Sequence, residues 1–172
     1  MYKIEDIKNI LEKKNYDFFS LDKPYNLNII GIRNSSNTPN TFNDTIIVIY
    51  RDSNKQERLI TFKCTTDPGL FWLQNPTNVD GTLILVPGQY KSCYQLGFHG
   101  RNSKHPYKAL EQIGNMTYVR DADRDNVLDF ELMNDPKKIV TGIFKTNIHR
   151  ANEDHESIQV DKWSAGCQVI AD

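Results

Sequence analysis

Long hydrophobic runs are absent from this 172-residue sequence. The longest compact apolar segment, residues 46–50, has only the length of a β-strand, whereas a helix that crosses a bilayer needs about 20 residues. Runs of lysine or arginine are also absent, and the formal net charge is −1. We therefore expect neither nucleic acid nor a membrane as a partner. Residues 1–7 lack the basic start and apolar core of a secretory signal.

Cysteine is scarce, and the three cysteines are Cys64, Cys93 and Cys167. An odd number without closely spaced pairs argues against a disulfide framework and leaves at least one free thiol. The close His/Cys pairs typical of zinc sites are missing too, which disfavours a metal hydrolase. Cys64 and Cys93 lie in or beside apolar segments, so we expect them in the core. Cys167 has different neighbours, described below.

Helical periodicity is confined to the start of the chain. Ile4, Ile7 and Leu11 fall on one face of residues 2–14, which predicts a short N-terminal helix followed by a loop up to residue 26. Apolar, β-branched segments separated by polar turns then predict strands. These segments are residues 27–33, 45–51, 58–64, 82–86, 94–98, 116–120, 141–148 and 168–171. We therefore predict a single domain, residues 1–172, with a mainly β, mostly antiparallel fold.

Small residues precede Cys167 in the segment Trp-Ser-Ala-Gly-Cys-Gln-Val, residues 163–169. They allow a tight turn that brings backbone N–H groups towards a reacting carbonyl. We expect Cys167 to be a nucleophile, with its own N–H and that of Gly166 stabilising the oxyanion. Ser164 is predicted to shape the turn, and Trp163 to line the substrate cleft.

A thiol that acts as a nucleophile needs a base to accept its proton. His149 is the predicted base, because it ends a strand-like segment that is expected to lie next to the strand of Cys167. His99 is a second candidate that would touch the substrate. His105 and His155 lie in polar loops, where we expect them to be solvated.

These residues resemble the catalytic motif of the L,D-transpeptidases of peptidoglycan, which is a histidine, a loop and then Ser-His-Gly-Cys. His149 precedes Cys167 by 18 positions (167 − 149), a spacing similar to that of the family, and Ser164 and Gly166 match the small residues of the motif. Residues 65–69 and 81–90 are similar to its Thr-Pro-x-Gly-x-Phe/Tyr turn. The resemblance covers about residues 45–171 and implies an L,D-transpeptidase-like β fold.

The resemblance implies that Cys167 attacks the carbonyl of a diamino acid in a peptidoglycan stem peptide and forms an acyl-enzyme. An amine acceptor would give a cross-link, and water would give a carboxypeptidase or endopeptidase; no cofactor is required. Ala165 stands where the family has a second histidine, and Val169 where it has an arginine, so two polar groups of the donor site differ. We place Ala165 at the substrate. The resemblance implies action at the bacterial cell wall, and the missing signal is typical of a phage lysin or virion-associated protein.

A non-catalytic module is the alternative. Cell-wall-binding or phage virion structural domains could use the same fold without turnover, and Cys167 would then be a structural thiol. Inhibitors separate a cysteine enzyme from a zinc hydrolase. A thiol alkylator stops a cysteine enzyme and a chelator stops a zinc enzyme.

Aspartates alternate in residues 121–129, as they do in calcium-binding loops. The predicted calcium ligands are Asp121, Asp123, Asp125 and Asp129. Asn126 occupies the usual glycine position, and Leu132 stands where the bidentate glutamate is usual, with Glu131 beside it. A solvated turn rich in aspartate is the alternative to a structural calcium site.

Overall fold

The computed structural model describes residues 2–172. The strands in chain order are β1 (Asn28–Ile32), β2 (Asp44–Arg51), β3 (Glu57–Thr65), β4 (Thr82–Leu85), β5 (Tyr94–His99), β6 (Tyr107–Gln112), β7 (Met116–Asp121), β8 (Val140–Gly142), β9 (Ile148–Arg150) and β10 (Gln168–Ile170). The α-helices are α1 (Ile4–Lys13) and α2 (Leu70–Gln74), and short 3-10 helices cover Phe130–Asn134 and Pro136–Lys138. None of the helices in residues 2–172 combines the length and apolar character that a bilayer crossing requires.

The described residues form two compact units, and the smaller one consists of residues 2–32 and 45–62. Its helix α1 buries Ile7 in an apolar cluster with Ile47 and Ile49 of β2. Strand β2 pairs antiparallel with β1, and β3 follows β2 in the strand order. The amphipathic pattern of residues 2–14 is thus explained by packing of the apolar helix face on this sheet.

The larger unit consists of residues 33–44 and 63–172. One of its sheets has the strand order β3-β10-β9-β6-β5, where β3 contributes residues 63–65. The β9–β10 pair is parallel, and the pairs β3–β10, β6–β9 and β5–β6 are antiparallel. A second, antiparallel sheet has the order β4-β7-β8. Tyr118, Val119 and Ile84 of this sheet are fully buried.

The mainly β class and the N-terminal helix are confirmed. The larger sheet is mixed, because β9 and β10 run parallel. The predicted strand at residues 141–148 is wrong in its middle part: β8 and β9 lie at its ends, with an irregular segment between them. In that segment Lys145 has a φ of 65°, and a side chain rather than a strand binds the neighbouring N–H groups.

Strand β6 was not predicted. Its sequence Tyr-Lys-Ala-Leu-Glu-Gln is rich in helix-forming residues, and only its pairing with β5 and β9 makes it a strand. The expectation for the two core cysteines is confirmed, since Cys64 and Cys93 are both buried.

Candidate functional site

The parallel pair β9–β10 brings Cys167 and His149 together. His149 lies opposite Val169 in this pair, and Cys167 immediately precedes β10. Since paired strands are about 4.8 Å apart, the end of the preceding turn lies next to β9. The Cys167 Sγ atom and a ring nitrogen of each of His149 and His99 lie within 4.8 Å of one another. The expected strand neighbourhood of Cys167 and His149 is therefore present.

The turn before Cys167 is held by Ser164, whose side chain is buried. Ser164 Oγ donates a hydrogen bond to the Cys167 carbonyl oxygen at 2.8 Å and accepts one from the Gly166 N–H at 3.2 Å. Gly166 has a φ of 116°, and a Cβ there would lie 2.8 Å from Leu83 Cβ. Only glycine fits this position, and Ser164 makes the contacts expected of a residue that shapes the turn.

The predicted oxyanion donors differ in their availability. The Gly166 N–H is buried and already donates to Ser164 Oγ. The Cys167 N–H has no acceptor within residues 2–172. The pair of donors expected from the sequence is thus reduced to the Cys167 N–H, because a bonded N–H has to give up its partner before it can stabilise an oxyanion.

His149 is held by hydrogen bonds to one of its ring nitrogens. Its Nδ1 lies 2.8 Å from the Arg150 carbonyl oxygen and 3.0 Å from Tyr107 Oη, and the Tyr107 hydroxyl donates to that same carbonyl at 3.0 Å. Two acceptors cannot share a contact of 2.8 Å without a proton between them, so the network assigns the proton to Nδ1. The other nitrogen, Nε2, is buried and makes no hydrogen bond within residues 2–172, although the Trp163 carbonyl oxygen lies close to the ring.

Burial keeps both groups uncharged near neutral pH. The pKa of His149 is lowered to about 4, mainly by burial and in smaller part by the neighbouring His99, against the opposing effect of the Arg150 and Trp163 carbonyls. Burial also raises the pKa of the Cys167 thiol to about 11, against the Asn147 backbone N–H. The pair is therefore a thiol next to a neutral imidazole, and the imidazole is in the form that accepts a proton.

His99 forms one wall of this site. Its half-buried ring stacks on that of His149, with centroids 3.8 Å apart and planes inclined by 22°. The Asn147 amide nitrogen lies 3.4 Å from His99 Nδ1. Burial lowers the pKa of His99, which favours its neutral form. The structure thus places His99 against the predicted base, whereas the sequence suggested a contact with the substrate.

Cys167, His149 and His99 offer donor atoms of the types that zinc accepts. A shared metal ion has to lie in the plane of each imidazole ring that binds it, because the nitrogen lone pairs lie in the ring planes. The two rings are stacked and inclined by only 22°, an orientation that makes it harder for both imidazoles to bind one ion in their planes. This arrangement fits a proton acceptor better than a metal centre.

Gln112 organises the backbone beside the thiol, and it is fully buried at the end of β6. Its Oε1 accepts hydrogen bonds from the N–H groups of Phe144 and Thr146, both at 3.0 Å. Its Nε2 donates to the carbonyl oxygens of two glycines. The segment held in this way includes Lys145, whose carbonyl oxygen lies 3.9 Å from Cys167 Sγ. Nothing in the sequence distinguishes this glutamine, since a polar residue at a strand end is ordinarily exposed.

A pocket of about 270 Å³ lies beside Cys167, which is half-buried at its wall. Ala165 also lines the pocket. Trp163 is exposed and is not among the lining residues. His105 and His155 are exposed, as predicted. Arg120 and Lys145 also line the pocket, and no local pattern in the sequence marks them as site residues.

The aspartate loop brings oxygens of Asp121, Asp123 and Asp129 within 4.8 Å of one another. Burial, together with the neighbouring carboxylates, raises the pKa of Asp121 to about 7 and that of Asp129 to about 6. Asp125 lies outside this group, and its Oδ1 accepts a hydrogen bond from the Val127 N–H at 2.8 Å. Three of the four predicted calcium ligands are therefore close together.

The arrangement as a whole contains groups of the kinds that thiol-based acyl transfer uses. It combines a half-buried thiol at a pocket, a neutral imidazole with one protonated and one unpartnered nitrogen, and a backbone N–H without an acceptor. No protein-family model, curated protein or solved structure matches the chain, so the arrangement is interpreted from its own geometry.

Proposed function

We propose that this chain is a cysteine-dependent enzyme that performs acyl transfer or hydrolysis on peptidoglycan stem peptides. The observation that carries the proposal is the unpartnered Nε2 of buried His149, in a ring that lies beside the thiol of Cys167. A buried nitrogen without a hydrogen bond costs about 1–3 kcal/mol of stability. A site that accepts this cost is typical of catalysis. The choice of stem peptides rests on the resemblance to L,D-transpeptidases.

In the proposed reaction, His149 Nε2 accepts the thiol proton while Cys167 Sγ attacks the carbonyl carbon of the diamino acid. The Cys167 N–H donates to the oxygen that gains negative charge. The tetrahedral intermediate then expels the amine of the following residue, which takes the proton from His149, and a thioester remains. An acceptor amine or water next loses a proton to His149 and attacks the thioester. This step returns the thiol and forms a cross-link or a shortened peptide.

A fold of the L,D-transpeptidase type is part of the proposal. Its support is the order of the motif along the larger unit: a histidine strand, a long turn, and a Ser-x-Gly-Cys segment that enters the neighbouring strand. Gly69, in the segment similar to the family turn, donates its N–H to the Ser164 carbonyl oxygen at 2.8 Å. The two stretches that carry the resemblance are thus in contact with each other.

One observation favours the second candidate, a non-catalytic wall-binding domain. The Gly166 N–H is bonded within the turn, so only the Cys167 N–H is available to an oxyanion. Loss of one oxyanion donor costs about 100–1,000-fold in turnover in other enzymes. A binding domain would carry no such requirement.

Mass spectrometry of muropeptides tests the proposal. Wild-type protein and the variant Cys93→Ala, which loses a buried thiol outside the site, should shorten or cross-link the peptides. Cys167→Ala and His149→Ala should leave them unchanged. Equal turnover by Cys167→Ala would refute the thiol mechanism. Unchanged muropeptides with every protein, together with co-sedimentation of wild-type protein with cell-wall sacculi, would establish the binding domain instead.

A further inference from the structure

The pocket beside Cys167 carries positive charge without a matching negative charge. Arg120 of β7 and Lys145 are among its lining residues, whereas aspartate and glutamate are not. The other polar groups of the lining are hydroxyl and amide groups, such as those of Thr82 and Asn78. A concave surface with two cations and no carboxylate attracts an anion.

Arg120 is held in place but keeps most of its donors. Its Nη1 donates to the Gly81 carbonyl oxygen at 2.9 Å, and its guanidinium carbon lies 5.3 Å from the centroid of the Phe144 ring. These contacts fix the orientation of a half-buried side chain and use only one of the five N–H donors of arginine. The planar group matches the two oxygens of a carboxylate.

The backbone carbonyl group of Lys145 lies near the sulfur of Cys167. Its carbonyl oxygen is 3.9 Å from Cys167 Sγ, and its side chain is exposed at the pocket. Within residues 2–172, no carboxylate approaches Arg120 or Lys145 within ion-pairing distance. Both cations are therefore available to a ligand whose reacting group lies at the thiol.

We propose that Arg120 and Lys145 form a subsite for a carboxylate of the donor peptide, close to the carbonyl that Cys167 attacks. This inference rests on the proposed function and names a feature of the substrate that it requires. Consecutive residues of a peptide are about 3.8 Å apart, so a carboxylate on the attacked residue or on the one after it can reach the subsite. The two sources are the side-chain carboxylate of the diamino acid and the terminal carboxylate of the released residue.

Peptide binding to the Cys167→Ala protein, measured by calorimetry, tests the subsite independently of turnover. Three probes are compared: a stem tetrapeptide with both carboxylates, the same peptide with a C-terminal carboxamide, and the same peptide with the side-chain carboxylate of the diamino acid amidated. Lys145→Gln and Arg120→Gln are then introduced into this background. Lys108→Gln, an exposed lysine of β6 outside the pocket, is the control.

We expect Lys145→Gln and Arg120→Gln each to weaken binding of the unmodified tetrapeptide roughly 10-fold or more, because each removes a charge-assisted contact. Lys108→Gln should have no effect, and Arg120→Lys should recover part of the loss. One amidated peptide should bind as weakly to the parent as the tetrapeptide does to the variants, and the variants should not weaken it further. That peptide identifies the carboxylate. Thermal unfolding checks that Arg120→Gln remains folded, and Lys145→Gln changes an exposed residue only.

Equal binding of all three peptides, or equal weakening of all three by Lys145→Gln, would overturn the subsite. Lys145→Gln and Arg120→Gln are also made in the wild-type background for turnover assays. If wild-type protein turns over muropeptides and these two variants keep its KM and kcat, the subsite is wrong and the proposed function stands. If the expected binding pattern is found without any turnover by wild-type protein, the subsite is supported and the enzymatic function is refuted.

Discussion

His149 and Cys167 lie beside each other across a parallel strand pair, with a ring nitrogen and the sulfur within 4.8 Å. The imidazole is buried and neutral, and the thiol keeps its proton because burial raises the pKa of Cys167. The resting site is therefore an uncharged pair, so in the proposed reaction proton transfer accompanies attack. This differs from a cysteine site that holds a preformed thiolate and imidazolium.

The lowered pKa of His149 determines how turnover should depend on pH. The pKa of His149 is lowered to about 4, so the base stays deprotonated through weakly acidic and neutral pH. We expect kcat/KM to stay level as the pH falls to about 5 and to decline with a midpoint near the His149 pKa of about 4. A decline centred between pH 6 and 7 on a protein that stays folded would contradict the burial of His149.

The stability of the fold should also depend on the protonation of His149. The folded-state pKa of His149, about 4, lies below its ordinary value of 6.5, so between these values the unfolded chain binds a proton that the folded chain excludes. The free energy of unfolding should therefore fall as the pH is lowered through this window. Urea denaturation of wild-type protein and His149→Gln measures the effect. The variant should lose less stability over the window, and an equal loss in both proteins would contradict the assignment.

Tyr107→Phe tests the orientation of the base. The Tyr107 hydroxyl contacts both His149 Nδ1 and the Arg150 carbonyl oxygen, and its loss frees the ring to turn away from the thiol. We expect kcat to fall roughly 10-fold, in line with other groups that orient catalytic residues, with a small change in KM. Tyr25→Phe, at an exposed tyrosine of the smaller unit, is the control. An unchanged kcat would show that the Arg150 carbonyl suffices.

Gln112→Leu should destabilise the protein strongly. The substitution leaves the buried N–H groups of Phe144 and Thr146 without their acceptor, and each such loss costs about 1–3 kcal/mol. We expect the free energy of unfolding in urea to fall by about 3 kcal/mol or more. Gln159→Leu changes an exposed glutamine and should have little effect. A loss below about 1 kcal/mol in Gln112→Leu would mean that other groups satisfy these N–H groups.

Calcium binding at the aspartate loop stays a prediction of the sequence. Because Asp121, Asp123 and Asp129 lie close together, a bound cation would relieve their mutual repulsion. Millimolar Ca²⁺ should then raise the melting temperature by several degrees, since a ligand of the folded state stabilises it. Asp123→Asn should abolish the increase and Asp125→Asn should preserve it. Identical melting curves of wild-type protein in Ca²⁺ and in chelator would favour the solvated turn.

Those parts of the candidate site that depend on residues close together in the chain could be predicted from the sequence. The small residues before Cys167 predict a tight turn, and Gly166 has the positive φ that such a turn needs. Apolar, β-branched segments likewise predicted most strands, and helical periodicity predicted the helix α1. These features depend on neighbours along the chain, so a single sequence contains them.

Residues brought in by long-range pairing could not be predicted in this way. Tyr107 and Gln112 lie at the two ends of β6, a strand whose composition favours a helix, and they reach the site only because β6 pairs with β9. Arg120 enters the pocket from the other sheet. The hydrogen bond from the Gly166 N–H to Ser164 Oγ was not predicted either, because it depends on the exact path of the turn.

Intact-protein mass spectrometry tests the central claim most directly. The protein is incubated with a stem tetrapeptide, quenched in acid, and digested to locate any adduct. We expect a mass increase equal to the acyl portion of the peptide, located on Cys167 as an acid-stable thioester and absent from Cys167→Ala and His149→Ala. Turnover of the peptide without an adduct on wild-type protein, and undiminished in Cys167→Ala, would contradict it.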